Sequence, residues 1–307
     1  MIDPFLFEHH ELKTLKSATN TLCLEPDTIA HAIRFARFPY AMPTASQLQI
    51  TGHVQTHEKI FELHLATTNV RYMLNLTPIE KLLFEIIALH KLSKGLEHAQ
   101  ATDLEYRSHT VLGCMIQHRL TRLLLEIDSR DRKAVFQLGR ASGIDQTLWQ
   151  TDFVGATSCA RAIGLFLELT SCRLYLPTVF EDIMLGVDLI ILSADQKNWC
   201  VSIKTGRMNS GIYLEHVHTR PSNEEPAFYA ETRRRIFDGS AKMEHYYPYA
   251  FQPCRIVVGK RPEIINIDVE KSDLEIAKRF IGEKRLLSHL PRWPQKTNDM
   301  TTDSHVA

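Results

Sequence analysis

Two apolar runs separated by a short polar turn constrain the fold of this chain more than any other feature. The first run, VDLIIL, covers residues 187–192, and the second, WCVSIK, covers residues 199–204. Short apolar runs bounded by polar turn residues predict β-strands, here an antiparallel pair. Strands that are apolar on both faces are typical of sheets that helices cover on both sides. The C-terminal half therefore predicts an α/β core.

The sequence around these runs extends the same core. It predicts a helix over residues 155–172, a strand over 173–180, an acidic turn at 181–186, a buried strand at 254–259, an edge strand at INIDV (265–269) and a last helix at 272–289. We assign residues 151–292 to this core and expect residues 293–307 to be a disordered tail.

The N-terminal part, residues 1–150, predicts an α+β accessory domain. Asp27 can cap a first helix, and period-two alternation over residues 47–76 predicts a three-stranded antiparallel meander. Thr77 and Glu80 form a capping box with Pro78 at the first helical position, so a helix begins there. We expect a second long helix over residues 104–127, a break at the polar stretch 128–133 and a short helix over residues 134–140.

Charge and apolar content limit the function classes. Lys plus Arg equal Asp plus Glu at 36 each, so the whole molecule has no cationic field for coating nucleic acid. No apolar run reaches the roughly 20 residues of a membrane span, and the N-terminus does not resemble a secretory signal. We expect a soluble, cytoplasmic protein without a membrane partner. The six cysteines are scattered without a CxxC pair, which favours reduced thiols over a zinc site or disulfides.

Strand pairing predicts that an aspartate and a lysine meet at one end of the core sheet. Alternation places Ser202 and Lys204 on one face of the second run, and antiparallel pairing sets Asp188 beside them. A salt bridge or a strand cap would explain such a pair. However, a charge beside apolar residues is costly unless it is paired or binds a metal. Glu181 and Asp182 lie a few residues upstream, and converging carboxylates suit a hard divalent cation.

This segment resembles the PD-(D/E)XK nuclease superfamily. The resemblance covers residues 155–259 and rests on GVDLII, a short loop and VSIKTG. Asp188 matches the metal-binding aspartate of the family, and Lys204 matches its lysine. Two positions depart from the motif, since Ser202 replaces the usual acid two residues before the lysine and Val187 replaces the proline before the aspartate.

The resemblance implies a restriction-endonuclease-like mixed sheet flanked by helices, and metal-dependent hydrolysis of phosphodiester bonds. Asp188, a second carboxylate and the Ile203 backbone carbonyl would hold Mg²⁺ or Mn²⁺, which lowers the pKa of a bound water. Lys204 would orient that water or stabilise the transition state. DNA is the substrate that the resemblance favours, and the residues are compatible with RNA as well.

Ser202 leaves the second carboxylate to be found elsewhere. We favour Glu181 in the acidic turn, with Asp182 as its neighbour in the same turn. Glu168 is the other candidate, because the family often places a glutamate on its first helix. The sequence alone does not choose among the three.

Downstream arginines are candidates for phosphate contacts, and the accessory domain is a candidate for binding partners. Arg207, Arg233 and Arg234 follow the proposed site, although a charge run on a helix is usually a solvated face. The N-terminal domain could mediate self-association or bind a protein or nucleic acid. A rival hypothesis is a catalytically inactive module on the same scaffold that binds nucleic acid or a protein; Ser202 and the neutral net charge support it.

Overall fold

The structure is a computed structural model that describes most of the predicted core. The described residues are 9–12, 24, 27–37, 77–97, 103–169, 172–193, 197–206, 211–221, 227–259 and 266–281. The predicted meander over residues 47–76 and the predicted tail over residues 293–307 lie outside them.

Seven α-helices lie within the described ranges. They are α1 (Thr28–Arg37), α2 (Pro78–Glu97), α3 (Asp103–Glu126), α4 (Ser129–Ser142), α5 (Gln146–Leu167), α6 (Ala227–Tyr246) and α7 (Lys271–Ile281). The predicted capping box begins α2: the Thr77 N–H donates to Glu80 Oε2 at 2.9 Å, and the Glu80 N–H donates to Thr77 Oγ1 at 3.2 Å. The long helix expected over residues 104–127 is confirmed as α3.

Two predicted elements are wrong, both because short polar side chains bond to the nearby backbone. Residues 128–133 were expected to form a break between helices, but α4 already begins at Ser129. The Asp128 carboxylate caps this helix by accepting a hydrogen bond from the Arg130 N–H at 2.9 Å. The described part of the expected edge strand, residues 266–269, forms no strand. There the Asn266 side chain accepts a hydrogen bond from the Asp268 N–H at 2.8 Å, a local turn that competes with sheet pairing.

One mixed sheet lies at the centre of the described residues. Its strands are β1 (His10–Glu11), β2 (Cys172–Leu176), β3 (Leu189–Ser193), β4 (Asn198–Gly206), β5 (Ile212–His216) and β6 (Phe251–Gly259). Their order across the sheet is β1-β2-β3-β4-β6-β5. β4 and β6 are parallel, and the other neighbouring pairs are antiparallel. The chain is therefore an α/β protein with a mixed sheet.

Helices cover both faces of this sheet, as the apolar strands predict. On β3, Leu189 and Ile191 pack in the core beneath α5 and α7, whereas Ile190 and Leu192 pack in the core beneath α6. A third core is formed mainly by α1–α5. All five side chains of β3 and the first six of β4 are buried, whereas the last three residues of β4 are partly exposed, so solvent reaches this part of the sheet at the C-terminal end of β4.

The helix α5 joins the two predicted domains. Trp149 and Phe153 lie in the helical core, and Ile163 and Phe166 of the same helix lie against the sheet. The expected division between residues 150 and 151 thus falls inside one continuous helix.

Between β2 and β3 the chain makes one π-helical turn, Glu181–Leu185, which we call the acidic turn. Gly186 ends it with a φ of 70°, a left-handed conformation that glycine adopts readily. In the described part of the chain, every helix is too short or too polar to cross a lipid bilayer.

Candidate functional site

Asp188 lies directly before β3, at the end of the sheet where β4 continues past its neighbour. Its backbone N–H donates to the Val201 carbonyl at 2.8 Å, which extends the antiparallel ladder. Its Oδ2 atom accepts hydrogen bonds from the Ser202 hydroxyl at 3.1 Å, the Ile203 N–H at 2.6 Å and Lys204 Nζ at 3.1 Å. Among the described residues, no hydrogen bond reaches Oδ1. The predicted meeting of Asp188 and Lys204 is confirmed.

This pair lies at the protein surface with its carboxylate on the inner side. The Asp188 side chain is 10% exposed, and that of Lys204 is 40% exposed. A ligand arriving from solvent would therefore meet the ammonium group first.

Burial and neighbouring charges set the protonation of both groups. Burial raises the pKa of Asp188, and the Asp182 carboxylate raises it further. Lys204 and the Ile203 N–H lower it, but the pKa of Asp188 stays above its usual value. Burial acts to lower the pKa of Lys204, but Asp188 outweighs it and holds that pKa above its usual value. Lys204 is thus a stable cation, whereas the charge of Asp188 is incompletely compensated.

The backbone of Ile203 faces the Asp188 carboxylate. In an extended strand, the N–H and the C=O of one residue point toward the same neighbouring strand. Because the Ile203 N–H reaches the Asp188 carboxylate, the Ile203 carbonyl is directed toward the same edge of β4. β3 begins only at Leu189, so this carbonyl lies beyond the end of the ladder between the two strands.

Ser202 occupies the position where the resemblance expects an acid. Its side chain is buried, and its hydroxyl donates to Asp188. It therefore orients the aspartate and cannot supply a negative charge.

The structure corrects the choice of Glu181 as the second carboxylate. Its side chain is buried, and its oxygens accept hydrogen bonds from the Thr178 N–H at 2.7 Å, from His9 Nε2 at 2.8 Å and from the Tyr247 hydroxyl. Burial acts to raise the pKa of Glu181, but these hydrogen bonds hold it below its usual value. Glu181 links the N-terminal segment to the residue after α6, and both of its oxygens already accept hydrogen bonds in these buried contacts.

Asp182, the next residue, is the carboxylate that influences Asp188 and Lys204. It raises the pKa of both groups, which means that its charge lies close enough to repel one and attract the other. Burial acts to raise the pKa of Asp182 itself, but hydrogen bonds from His118 and Cys114 on α3 hold it below its usual value. Asp182, which the sequence offered as an alternative to Glu181, is therefore the carboxylate whose charge acts on both groups.

Strand register removes Glu168 from the candidates. Glu168 is exposed at the C-terminal end of α5, four residues before β2 begins at Cys172. Cys172 pairs with Ser193, the last residue of β3. Asp188 precedes the other end of β3, so Glu168 lies at the opposite end of the sheet.

Family models, curated proteins and solved structures were compared with this chain, and none matches it.

The predicted arginine contacts divide into three cases. Arg207 lies outside the described residues. Arg233 is 19% exposed, with its Nε atom 3.0 Å from Glu215 Oε1, so it holds α6 against β5 and is not available as a free phosphate contact. Arg234 pairs on the surface with Glu231 at 3.1 Å, an interaction that a phosphate could replace.

A cluster of three side chains that the sequence did not predict lies beside the sheet site. Cys114 Sγ is 3.1 Å and His118 Nε2 is 2.8 Å from Asp182 Oδ2, and the two α3 atoms are 3.6 Å apart. The ligand atoms all lie within 4.8 Å of one another. The available signal was the i, i+4 spacing of Cys114 and His118, which places both on one helix face.

Proposed function

We propose that this protein is a metal-dependent nuclease that hydrolyses phosphodiester bonds at Asp188 and Lys204. The observation that carries the proposal is the convergence of these two side chains, 3.1 Å apart, where β4 runs beyond the start of β3. The mixed sheet flanked by helices agrees with the architecture that the PD-(D/E)XK resemblance implies.

Charge balance at the site favours a bound cation over a simple ion pair. Two carboxylates, Asp188 and Asp182, interact with the ammonium of Lys204, and His118 interacts only with Asp182 among them. The pKa of Asp188 stays above its usual value although Lys204 lies 3.1 Å away and the Ile203 N–H 2.6 Å away. A divalent cation would supply the missing positive charge.

The donor set fits a hard cation. Asp188 Oδ1, the Ile203 carbonyl and the Asp182 carboxylate offer oxygen ligands, which Mg²⁺ and Mn²⁺ prefer. When bound, such an ion lowers the pKa of a coordinated water and neutralises charge on a phosphate. Ser202 and the Ile203 N–H hold Asp188 Oδ2, so the side chain is oriented before any ligand arrives.

Lys204 would act on the phosphate directly. Its ammonium is partly exposed, and its raised pKa keeps it charged at neutral pH. A preorganised cation at this position stabilises negative charge that develops on a phosphate oxygen in the transition state. The resemblance to the PD-(D/E)XK superfamily favours DNA as the substrate.

The test is cleavage of supercoiled plasmid, single-stranded DNA and RNA with Mg²⁺ or Mn²⁺, with and without a chelator. We expect metal-dependent cleavage, and a loss of about 100-fold or more in Asp188→Asn and Lys204→Ala, as for other groups that stabilise transition-state charge. Asp268→Asn and Lys278→Ala are matched controls on exposed side chains and should leave the rate unchanged. Full activity in both site variants would remove the assignment.

A neighbouring pair of variants tests which acidic residue takes part. Asp182→Asn should reduce cleavage, because it removes the charge that acts on Asp188 and Lys204. Glu181→Gln should lower stability, because it disturbs the buried contacts with His9 and Tyr247. A folded Glu181→Gln protein that is inactive, beside an active Asp182→Asn protein, would reverse the assignment.

A second candidate function is nucleic-acid binding without cleavage, and Ser202 favours it. The usual acid is replaced by a buried hydroxyl that donates to Asp188, so one negative charge of the motif is absent. Binding of DNA by the wild-type protein in Mg²⁺, without cleavage of any substrate, would support this reading.

A further inference from the structure

We propose that Cys114, His118 and Asp182 form a second metal site, which binds a transition metal of the Zn²⁺ class. The site lies between α3 and the acidic turn, and it is chemically distinct from the oxygen site at the end of the sheet. It shares Asp182 with that oxygen site, but Cys114 and His118 belong to it alone, and it does not require the protein to be a nuclease.

The three ligand atoms already have the spacing of a coordination shell. With Zn–S at about 2.3 Å and Zn–N or Zn–O at about 2.0 Å, tetrahedral ligands lie roughly 3.3–3.6 Å apart. Cys114 Sγ and His118 Nε2 are 3.6 Å apart. Their distances to Asp182 Oδ2, 3.1 Å and 2.8 Å, are a few tenths of an ångström shorter. Hydrogen bonds to that oxygen explain the contraction, because a proton occupies the place that a metal would take.

The geometry does not fit a cysteine–histidine–aspartate catalytic relay. Such a relay uses one ring nitrogen of the histidine for the nucleophile and the other for the carboxylate. Here both Cys114 and Asp182 approach the same atom, His118 Nε2. Three groups that converge on one point are arranged for a shared cation.

The donor types select the metal. A thiolate and an imidazole are soft or borderline ligands that favour Zn²⁺ over Mg²⁺. Binding would release the Cys114 proton to solvent, since the thiolate is the ligand form. Three protein ligands leave a fourth tetrahedral position open, as in zinc sites that bind water or substrate.

A metal at this site would connect α3 to the acidic turn. Cys114 and His118 belong to α3 in the helical core, and Asp182 belongs to the acidic turn that leads to Asp188. A metal bound here would fix the acidic turn against α3 and so hold the approach to the sheet site.

The test uses the full-length protein, stripped with a chelator and titrated with Co²⁺ as a spectroscopic substitute for Zn²⁺. We expect one thiolate-bound Co²⁺ per chain, counted from the saturation of a thiolate-to-cobalt charge-transfer band, and visible bands of four-coordinate Co²⁺. Cys114→Ser should abolish the charge-transfer band. His118→Gln should weaken binding by at least about 100-fold, because even the loss of partners around metal ligands costs 10–100-fold. Zn²⁺ should displace Co²⁺, and excess Mg²⁺ should not.

Two matched variants separate this site from its neighbours. Cys159→Ser changes a nearby buried cysteine on α5 and should keep the band, and Asp188→Asn should also keep it. Thermal unfolding gives a second readout, since Zn²⁺ should raise the melting temperature of the wild type and not of His118→Gln. A wild type that binds no Co²⁺ or Zn²⁺, or a charge-transfer band that persists in Cys114→Ser, would overturn the proposal. Retained metal binding without nuclease activity would leave this site standing and refute only the proposed function.

Discussion

Asp152 provides a quantitative test of the electrostatics of the helical core. Its carboxyl Oδ2 lies 3.6 Å from His90 Nε2, and His90 packs against the Trp149 ring at a centroid distance of 5.1 Å. Burial raises the pKa of Asp152 from 3.8 to about 7 and lowers that of His90 from 6.5 to about 4. Above pH 7 the carboxylate is therefore charged opposite a neutral imidazole. Asp152→Asn keeps the shape of the side chain and removes this charge.

The sign and size of the effect follow from linkage. A folded-state pKa above the unfolded-state value gives stability that is complete below the unfolded pKa and is lost as the pH rises through the folded pKa. The change from 3.8 to about 7 is roughly 3 units, or at most about 4 kcal/mol. The Asp152 side chain is 24% exposed, so water recovers part of this cost. We expect Asp152→Asn to gain about 2 kcal/mol relative to wild type at alkaline pH.

Urea unfolding at about pH 4.5 and about pH 8.5, followed by circular dichroism, measures the free energy of unfolding of both proteins. The gain in Asp152→Asn should be large at the higher pH and small at the lower one. Asp268→Asn, at a position that is 75% exposed, controls for the chemistry of the substitution and should show no such dependence. A gain of equal size at both pH values, or no gain at the higher one, would refute the reasoning.

Four further substitutions test the packing and charges of the core. His90→Gln should show the opposite pH dependence from Asp152→Asn. The pKa of His90 is lowered from 6.5 to about 4, so the wild type loses stability as the pH falls through this range. The gain in stability of His90→Gln over wild type should therefore be largest in acid. Gly239→Ala should destabilise by about 2 kcal/mol in urea unfolding, because its Cβ would lie 2.0 Å from a carbonyl oxygen of the acidic turn. Gly113→Ala has open space and should be neutral or stabilising by up to about 1 kcal/mol. Asp273→Ala should cost about 3–5 kcal/mol in the same assay, because it leaves the buried Arg161 guanidinium without its carboxylate.

Local patterns predicted most of the elements that position the site. The Thr77–Glu80 capping box marked the start of α2 because both of its hydrogen bonds lie within one turn. Apolar alternation placed Trp199, Val201 and Ile203 together on one face of β4. The same period-two geometry allowed the meeting of Asp188 and Lys204 to be predicted from the turn between the strands.

Contacts between distant segments were not predictable in this way. Cys114 and His118 are separated from Asp182 by 68 and 64 positions in the sequence. Their helix was predicted correctly, but amphipathic periodicity reports which face is apolar and not which turn of the chain will lie against its polar edge. The zinc-class site is invisible to a search for cysteine pairs, because it uses a single thiol.

The choice between Glu181 and Asp182 shows why the final step to a site needs coordinates. In the π-helical turn that contains them, adjacent residues point in different directions around the turn axis. The two consecutive carboxylates therefore meet different neighbours. Glu181 turns inward, where His9 and Tyr247 satisfy its oxygens, and Asp182 turns toward α3 and Asp188. The sequence alone gives no reason to prefer one of the two carboxylates. The direction in which each side chain points decides that Glu181 holds buried structural contacts and that the charge of Asp182 acts on Asp188 and Lys204.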